Sequence, residues 1–422
     1  MAGSASDCDV IVVGGGPAGS TAATLIARAS RRVVLLDREQ FPRFRVGESL
    51  MPATYWTLQR LGVLDKLKGS SYPRKHSVQF FSKSGRSSSP FYFSEVDPHE
   101  SSATWQVDRI SFDQMLLDNA RESGVDVRER ANVKDVLFEG SQATGVRVEY
   151  ADGKREELSS DVVVDATGQT ALIGRKLRLK DVDPQLRHAS FFTRYRGAVR
   201  APGIDEGATM IMRTARHRTW FWYIPLPDDL VSVGLVGPVD DLLKQRTGGP
   251  EAVFDEEMRT CPAILERVQD AEQVGEVRVM RDFSYISRRI AGDGWVLAGD
   301  AFGFLDPIYS TGVFLALKSA EFAADSVIEA CEKQDFSAAR LGRHGPEYVA
   351  AMESLRKLVY AYYDESFSIA AFLKRNPEFR SQVVNLLIGN LFRVPVEGLF
   401  DAMGRECELP EPRRLIQVEE RS

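Results

Sequence analysis

Between Asp9 and Asp37 the chain reads DVIVVGGGPAGSTAATLIARASRRVVLLD, and this stretch limits the possible folds more than any other. Asp9 to Val13 is a short β-branched run and reads as a buried strand. Gly14, Gly16 and Gly19 follow at the G-x-G-x-x-G spacing, with Pro17 and Ala18 between the last two. Small residues then lead through Leu25 and Ile26 as a helix, and Val33 to Leu36 is a second buried strand ending in Asp37. The glycines permit a tight turn, close approach of the backbone to a pyrophosphate, and close packing of helix on strand. Free N–H groups and the helix dipole favour phosphate, and an acid after the second strand suits a ribose hydroxyl pair. A lone glycine fingerprint is weak evidence. Here strand, turn, helix, strand and terminal acid occur in order, and together they predict a dinucleotide site.

A chain of 422 residues can bury a large core, organised as two intertwined domains plus an extension. Its 43% hydrophobic and 27% charged residues are ordinary for a globular protein. The net charge of -6 argues against a nucleic-acid partner. Cys8, Cys261, Cys331 and Cys407 are scattered without a C-x-x-C, as in reduced cysteine and unlike a disulfide framework or zinc site. Met1 to Cys8 is small and polar, and no apolar run is long enough to span a bilayer. The expected compartment is the cytoplasm.

The fold class expected is α/β: a Rossmann-type domain intertwined with a mixed or antiparallel β-sheet domain, with a C-terminal helical extension. The first takes residues 7–75, 100–185 and 280–340. The sheet domain takes 76–99 and 186–279, and the helical region 341–422. Phe41 to Pro52 is a loop, FPRFRVGESLMP, followed by a helix from about Ala53 to Leu67. Strands are expected at Ser77 to Phe81, Pro90 to Phe93 and Thr104 to Val107, and an amphipathic helix at Phe112 to Ser123. Val133 to Phe138, Gly145 to Tyr150 and a strand near Leu158 form a meander, and Asp161 to Asp165 returns as a buried strand. From Ala189 to Val236 the period is near two, a sheet outside the nucleotide core. Gly294 to Ala298 is a last buried strand. A long helix starts near Gly312, and the chain from Pro346 onward is mostly helical with a polar tail.

DATG at Asp165 to Gly168 and GDAFGFLDP at Gly299 to Pro307 each follow a buried strand and put a glycine where backbone can approach a ligand. Together with Gly14 to Gly19 they resemble the two-domain FAD oxidoreductases of the para-hydroxybenzoate hydroxylase type, over nearly the whole stretch from Asp9 to about Ala330. The resemblance makes the dinucleotide FAD rather than NAD, with Asp300 near the ribityl or pyrophosphate region. It implies a cofactor set of Gly14, Gly16, Pro17, Ala18, Gly19, Asp37, Arg38, Arg45, Ser49, Arg109, Gly168, Gly299, Asp300, Pro307 and Gly312.

Trp220-Phe221-Trp222-Tyr223-Ile224-Pro225 matches W-x-W-x-I-P, carried by Trp220, Trp222, Ile224 and Pro225, the signature of flavin-dependent halogenases. Alternating aromatics on a strand usually make core, but two indoles on one face would also wall off a flavin. Lys75, in SYPRKHSVQFF, would by itself read as a surface residue. In its setting it resembles the lysine required for halogenation in short bacterial halogenases of natural-product assembly, where FPRFxVGESLxP, a helix and that lysine precede a strand. The resemblance implies reduced FAD from a separate flavin reductase, oxygen, and chloride or bromide. Hypohalous acid would travel to Lys75, which either forms a haloamine as the free amine or activates the acid as the ammonium. The N–H groups of Thr311 and Gly312 would bind halide, although a plain helix cap by Ser310 or Thr311 is also open. Tryptophan halogenases carry Glu immediately before Ser-Thr-Gly, where this chain has Tyr309. The substrate expected is therefore an electron-rich phenol or pyrrole, free or tethered to a carrier protein. Tyr360, Tyr362, Tyr363 and Phe367 cluster in a C-terminal helix and are expected in core, the alternative being a lining of the substrate cavity. An aromatic monooxygenase of the same fold is the nearest alternative, followed by a geranylgeranyl reductase type and a non-catalytic flavoprotein.

Overall fold

The computed structural model describes residues 6–413 and 415, apart from 217, 245–247, 282 and 395. The expected polar tail past residue 415 and the first five residues lie outside the described residues. The glycine fingerprint joins strand β1 (Cys8–Val13) to helix α1 (Pro17–Arg28), and β2 (Val33–Leu36) follows. β1 pairs in parallel with β2 on one side and with the end of strand Arg155–Asp165 on the other. Strand Trp295–Leu297 lies parallel beyond that. Val13 is in register with Asp165, and Asp165 with Leu297. The turns after these three strands, far apart in sequence, therefore emerge side by side at one sheet edge, where open α/β sheets place ligands.

The two strands expected near Leu158 and at Asp161 to Asp165 are one continuous strand, Arg155–Asp165. Its first half alternates exposed and buried and pairs antiparallel with Gln142–Tyr150. Its second half is an unbroken buried Val run that joins the parallel sheet. The helix expected from Ala53 to Leu67 is instead two, Thr54–Arg60 and Leu64–Lys68. Gly62, at φ +69°, ends the first turn of the pair as a left-handed stop. Strand Phe91–Tyr92 is shorter than expected because Phe93–Glu95 turns into a 3-10 helix. Strand Thr104–Trp105 is also shorter, and helix Arg109–Glu122 begins three residues before Phe112.

The second sheet has seven strands, in the order Glu272–Arg281, His188–Arg196, Leu230–Pro238, Trp220–Pro225, Thr209–Arg213, Ser77–Phe81 and Phe91–Tyr92. Side chains alternate across it. Trp220, Trp222 and Ile224 share a core with Leu358, Tyr362 and Tyr363 of helix Gly345–Tyr363. Phe221 and Tyr223 face the other way, onto Phe254 and Ile264 of two covering helices. Tyr362, Tyr363 and Phe367 are buried core, and Tyr360 is half-buried with its hydroxyl donating to Asp183. Phe367 lies past the end of that helix. All four cysteines are free and buried. Among the described residues no helix is long and apolar enough to cross a membrane, and no group of residues has the makings of a metal site.

Candidate active site

The three adjacent turns open onto one cavity of about 650 Å³ that runs from the glycine loop to the face of the seven-stranded sheet. Gly14 sits at φ +105°, and a Cβ there would lie 2.3 Å from the Ala166 carbonyl oxygen, so only glycine lets the first turn meet the DATG turn. Gly16 lines the cavity, and a Cβ there would meet nothing nearer than the Arg43 guanidinium at 3.4 Å. It is the N-cap of α1 without a capping side chain, and Pro17 follows at the first helical turn. Free N–H groups and the dipole of α1 thus face the cavity beside open space, which fits a pyrophosphate.

Of the expected cofactor residues, Pro17, Ala18, Asp37, Arg38, Arg45, Ser49, Arg109, Gly168, Asp300, Pro307 and Gly312 also line this cavity. Gly19 and Gly299 do not. A Cβ on Gly19 would lie 1.7 Å from the Gly14 carbonyl oxygen, and one on Gly299 2.9 Å from Ala18 Cβ. Both glycines serve packing of α1 against its neighbours. The Asp37 carboxylate accepts from Gly15 N–H at 2.7 Å and from Glu39 N–H at 2.8 Å, so it also ties the glycine loop to the chain after β2. Arg109 holds Asp113 through two bonds, of 2.7 and 2.9 Å, and donates to the Val46 carbonyl at 2.9 Å. Burial pushes the Asp300 carboxyl up to about 6, against the pull of Arg109.

Other wall residues are not among the expected site residues, although Arg43 and Glu48 lie in the FPRFRVGESLMP loop and Phe304 in GDAFGFLDP. Arg43 faces Gly16 and donates to Asp113 at 2.9 Å. Glu48 is buried, accepts from Gly47 N–H at 3.0 Å, and lies 3.8 Å from Arg194; burial raises its pKa. Thr209 and Phe304 are further wall residues; Thr209 is brought in by pairing with distant Val78, and Phe304 by pairing with nearby Tyr285.

The expectation that both signature indoles wall off the flavin needs correcting. Trp222 and Ile224 line the cavity, Trp222 in a row with Phe192 and Phe44. Trp220 and Pro225 do not. Trp220 lies behind the wall, edge-on to Tyr362, with its N–H donating to the Tyr363 hydroxyl at 2.9 Å. Gly234 stands opposite Trp222 in register, and a Cβ there would sit 2.1 Å from the indole, so the absent side chain is what lets Trp222 lie there.

Beyond Phe304 the chain turns through Pro307–Tyr309 into helix Thr311–Lys333. Ser310 takes the left-handed conformation at φ +57°, and no side chain caps the helix. The plain-cap reading of Ser310 or Thr311 is therefore not what the structure adopts. Ser310 and Gly312 line the cavity, while the Thr311 side chain is buried. The turn is fixed by Asp306, whose carboxylate accepts from Ile308 N–H at 3.0 Å and from the Tyr363 hydroxyl, and meets His188 Nδ1 at 3.2 Å. Tyr309 is buried and donates to the Leu358 carbonyl at 3.2 Å.

Lys75 is 2% exposed, on the two-residue strand Arg74–Lys75 paired with Thr104–Trp105. It is no surface residue, and it does not reach the cavity wall. Its Nζ donates to Ser49 Oγ at 2.8 Å and to the Leu50 carbonyl at 3.1 Å, with the Phe93 ring at 5.5 Å. Both hydrogen-bond partners are neutral. Burial without a counter-charge pushes the ammonium down to about 7.

The parallel sheet, the glycine cradle and the uncapped helix facing one cavity define a dinucleotide-binding protein. A family model described as FAD binding domain matches residues 7–332. A chlorinase of 1H-pyrrole-2-carbonyl peptidyl-carrier protein from Pseudomonas fluorescens is 31% identical over 92% of this chain and 90% of its own. The corresponding brominase from Pseudoalteromonas luteoviolacea is 31% identical over 91% and 92%. The solved structure of the flavin-dependent brominase Bmp2 superposes with a TM-score of 0.85 at 28% identity, covering 94% of this chain and 98% of that one. The chain belongs to the FAD-binding-domain family and, within it, to the flavin-dependent halogenases.

Proposed function

We propose that this FAD-dependent halogenase transfers chlorine or bromine to an electron-rich phenol or pyrrole, with Lys75 as its catalytic residue. The observation that carries this reading is a lysine buried on neutral partners, one hydroxyl away from the cavity. FAD, reduced by a separate flavin reductase, supplies with oxygen the oxidising equivalent that turns halide into hypohalous acid. The uncapped N–H groups of Thr311 and Gly312 hold the halide beside the cofactor. The apolar row of Trp222, Phe192 and Phe44 keeps bulk substrate from that end. At neutral pH Lys75 has a substantial fraction as the free amine. The amine loses one N–H, gains an N–halogen bond and releases water; the N–halogen and ring C–H bonds then break as the ring C–halogen bond forms, and the ring proton returns to the nitrogen.

The relatives that act on a pyrrole-2-carbonyl carrier protein support a tethered substrate. Tyr309, packed in the core where tryptophan halogenases place Glu, speaks against free tryptophan. Side-by-side assays of free tryptophan, free phenols and carrier-bound pyrrolyl groups, under one flavin supply with bromide and with chloride, test this. Turnover of a phenol or of the carrier-bound group is expected. Regioselective turnover of tryptophan alone would refute it.

The sequence shows a single dinucleotide fingerprint, so NADH is not expected to reduce the bound flavin. Stopped-flow mixing with NADH or NADPH should leave the flavin band intact until a reductase is added. Fast bleaching without one would favour an aromatic monooxygenase.

A further inference from the structure

Lys75 stands behind a cavity wall that carries two linked hydroxyls, and one of them bonds it directly. Ser49 and Thr209 both line the cavity, and Lys75 lies behind them. Lys75 Nζ is 2.8 Å from Ser49 Oγ, and Ser49 Oγ is 2.8 Å from Thr209 Oγ1. Gln106 Nε2 donates to Thr209 Oγ1 at 2.8 Å and to the Gly207 carbonyl at 2.8 Å. Ser49, Lys75, Gln106 and Thr209 are all buried. Backbone pairing fixes the row: Ser49 bridges Gln106, Lys75 pairs with Thr104, and Thr209 pairs with Val78.

Donors and acceptors in this row can run in two directions. An ammonium donates to Ser49 Oγ, which leaves the Ser49 hydrogen for Thr209 and the Thr209 hydrogen for the cavity. A free amine offers a lone pair. Ser49 then donates to Nζ and Thr209 donates to Ser49, while Gln106 donates to Thr209 in both cases. Passing one proton along the row converts one arrangement into the other.

We propose that Ser49 and Thr209 form a relay that carries the Lys75 proton to water in the cavity, so that Ser49 is a positioning and proton-transfer residue and not only part of the cofactor wall. The step rests on the reading of Lys75 as the catalytic amine. A Lys75 N–H bond breaks as a Ser49 O–H bond forms. Ser49 gives its own proton to Thr209, Thr209 gives its proton to a cavity water, and hydronium and free amine result. Charged neighbours are engaged elsewhere. Arg74 stacks on Trp105 and donates to the Ala103 carbonyl. Glu48 faces Arg194 and the Gly47 N–H. Asp205 accepts from Ser77 and Tyr92, Glu100 binds Lys68 and Tyr55, and Glu95 binds Arg380. The half-buried His76, next after that strand, is disfavoured as a cation by its own burial.

The test compares wild type with Ser49→Ala, Thr209→Val, Ser49→Thr and Lys75→Ala as full-length holoenzymes. Halogenated product per flavin oxidised is read at pH 6.5 and pH 9. At the lower pH Lys75 rests as the ammonium and must lose a proton before it can take up halogen; at the higher it starts as the amine. Ser49→Ala and Thr209→Val should lose at least about tenfold at pH 6.5 and little at pH 9, and Ser49→Thr should recover most of that loss. In parallel, 15Nζ-lysine NMR of the cofactor-free protein, with the Lys75 signal assigned from Lys75→Ala, should show its titration midpoint falling by about one pH unit in Ser49→Ala. Equal losses at both pH values, or an unmoved midpoint, would overturn the relay while leaving Lys75 catalytic. Full halogenation by Lys75→Ala would overturn the reading of Lys75 itself, and the relay with it.

Discussion

Lys75→Ala is expected to abolish halogenation while flavin oxidation continues, the oxidising equivalent leaving as hydrogen peroxide. The cavity wall next to Lys75 is made by Ser49 and Thr209, so truncation behind it leaves the cofactor side intact. What disappears is the buried amine able to take up halogen as a nucleophile. Product formation should fall by at least about 1,000-fold, the scale of losing a covalent catalyst, with peroxide rising in proportion. Product at a rate near wild type would refute the assignment.

The same lysine leaves a mark on stability. Its folded-state value is about 7 against an ordinary 10.5. Below pH 7 both folded and unfolded chains hold the proton, and burying the charge costs its full penalty. Between about 7 and 10.5 the unfolded chain keeps a proton that the folded chain has released, so stability rises with pH. Above 10.5 both are neutral and the penalty is gone. Lys75→Met should remove this contribution and stabilise the protein by a few kcal/mol at pH 6, and by less at pH 9. Urea midpoints of variant and wild type at the two pH values check this. An equal offset at both would show that Lys75 is not a buried cation.

Gly16→Val is expected to abolish FAD binding in a protein that still folds. The position is extended at φ -73°, so no left-handed strain arises, and the first Cβ meets only the flexible end of Arg43 at 3.4 Å. The added methyls fill the space in front of the α1 N–H groups, where a pyrophosphate has to approach. Affinity should drop by at least about 100-fold, or roughly 3 kcal/mol. Flavin absorbance of the purified protein reads the loss, and circular dichroism reads the fold. Stoichiometric FAD in this variant would refute the site. Gly19→Val is a poor substitute, because its Cβ collides with the Gly14 carbonyl and tests packing instead.

The glycine loop, β1, α1 and β2 were legible in the sequence because one local pattern specifies them. The joining of DATG and GDAFGFLDP to that loop followed from resemblance, and its physical basis is the shared register of Val13, Asp165 and Leu297. Period-two alternation put Trp220 and Trp222 on one face. It carries no information on depth, and Trp220 turned out to face the helical region. Lys75 read as surface by residue type, since nothing local shows that Thr104, Leu50 and Phe93 will enclose it. Thr209 carries no motif, and Arg43 lies in the FPRFRVGESLMP loop without any sign there of the partner it finds. They reach the cavity through pairings that only the folded chain displays.

The Asp306 turn binds regions that a domain diagram would separate. The family match ends at residue 332, yet Tyr363, thirty-odd positions later, donates to Asp306 and accepts from Trp220. The match is therefore not a unit of cooperative unfolding. A fragment stopping there would leave the Trp220 indole without its acceptor and the apolar face shared with Leu358 and Tyr362 open to water. The loop carrying Pro307 to Gly312 would then lose its anchor along with its cover. Amide hydrogens of strand Trp220–Pro225, of the Pro307–Tyr309 turn and of helix Gly345–Tyr363 should accordingly exchange in one common opening event.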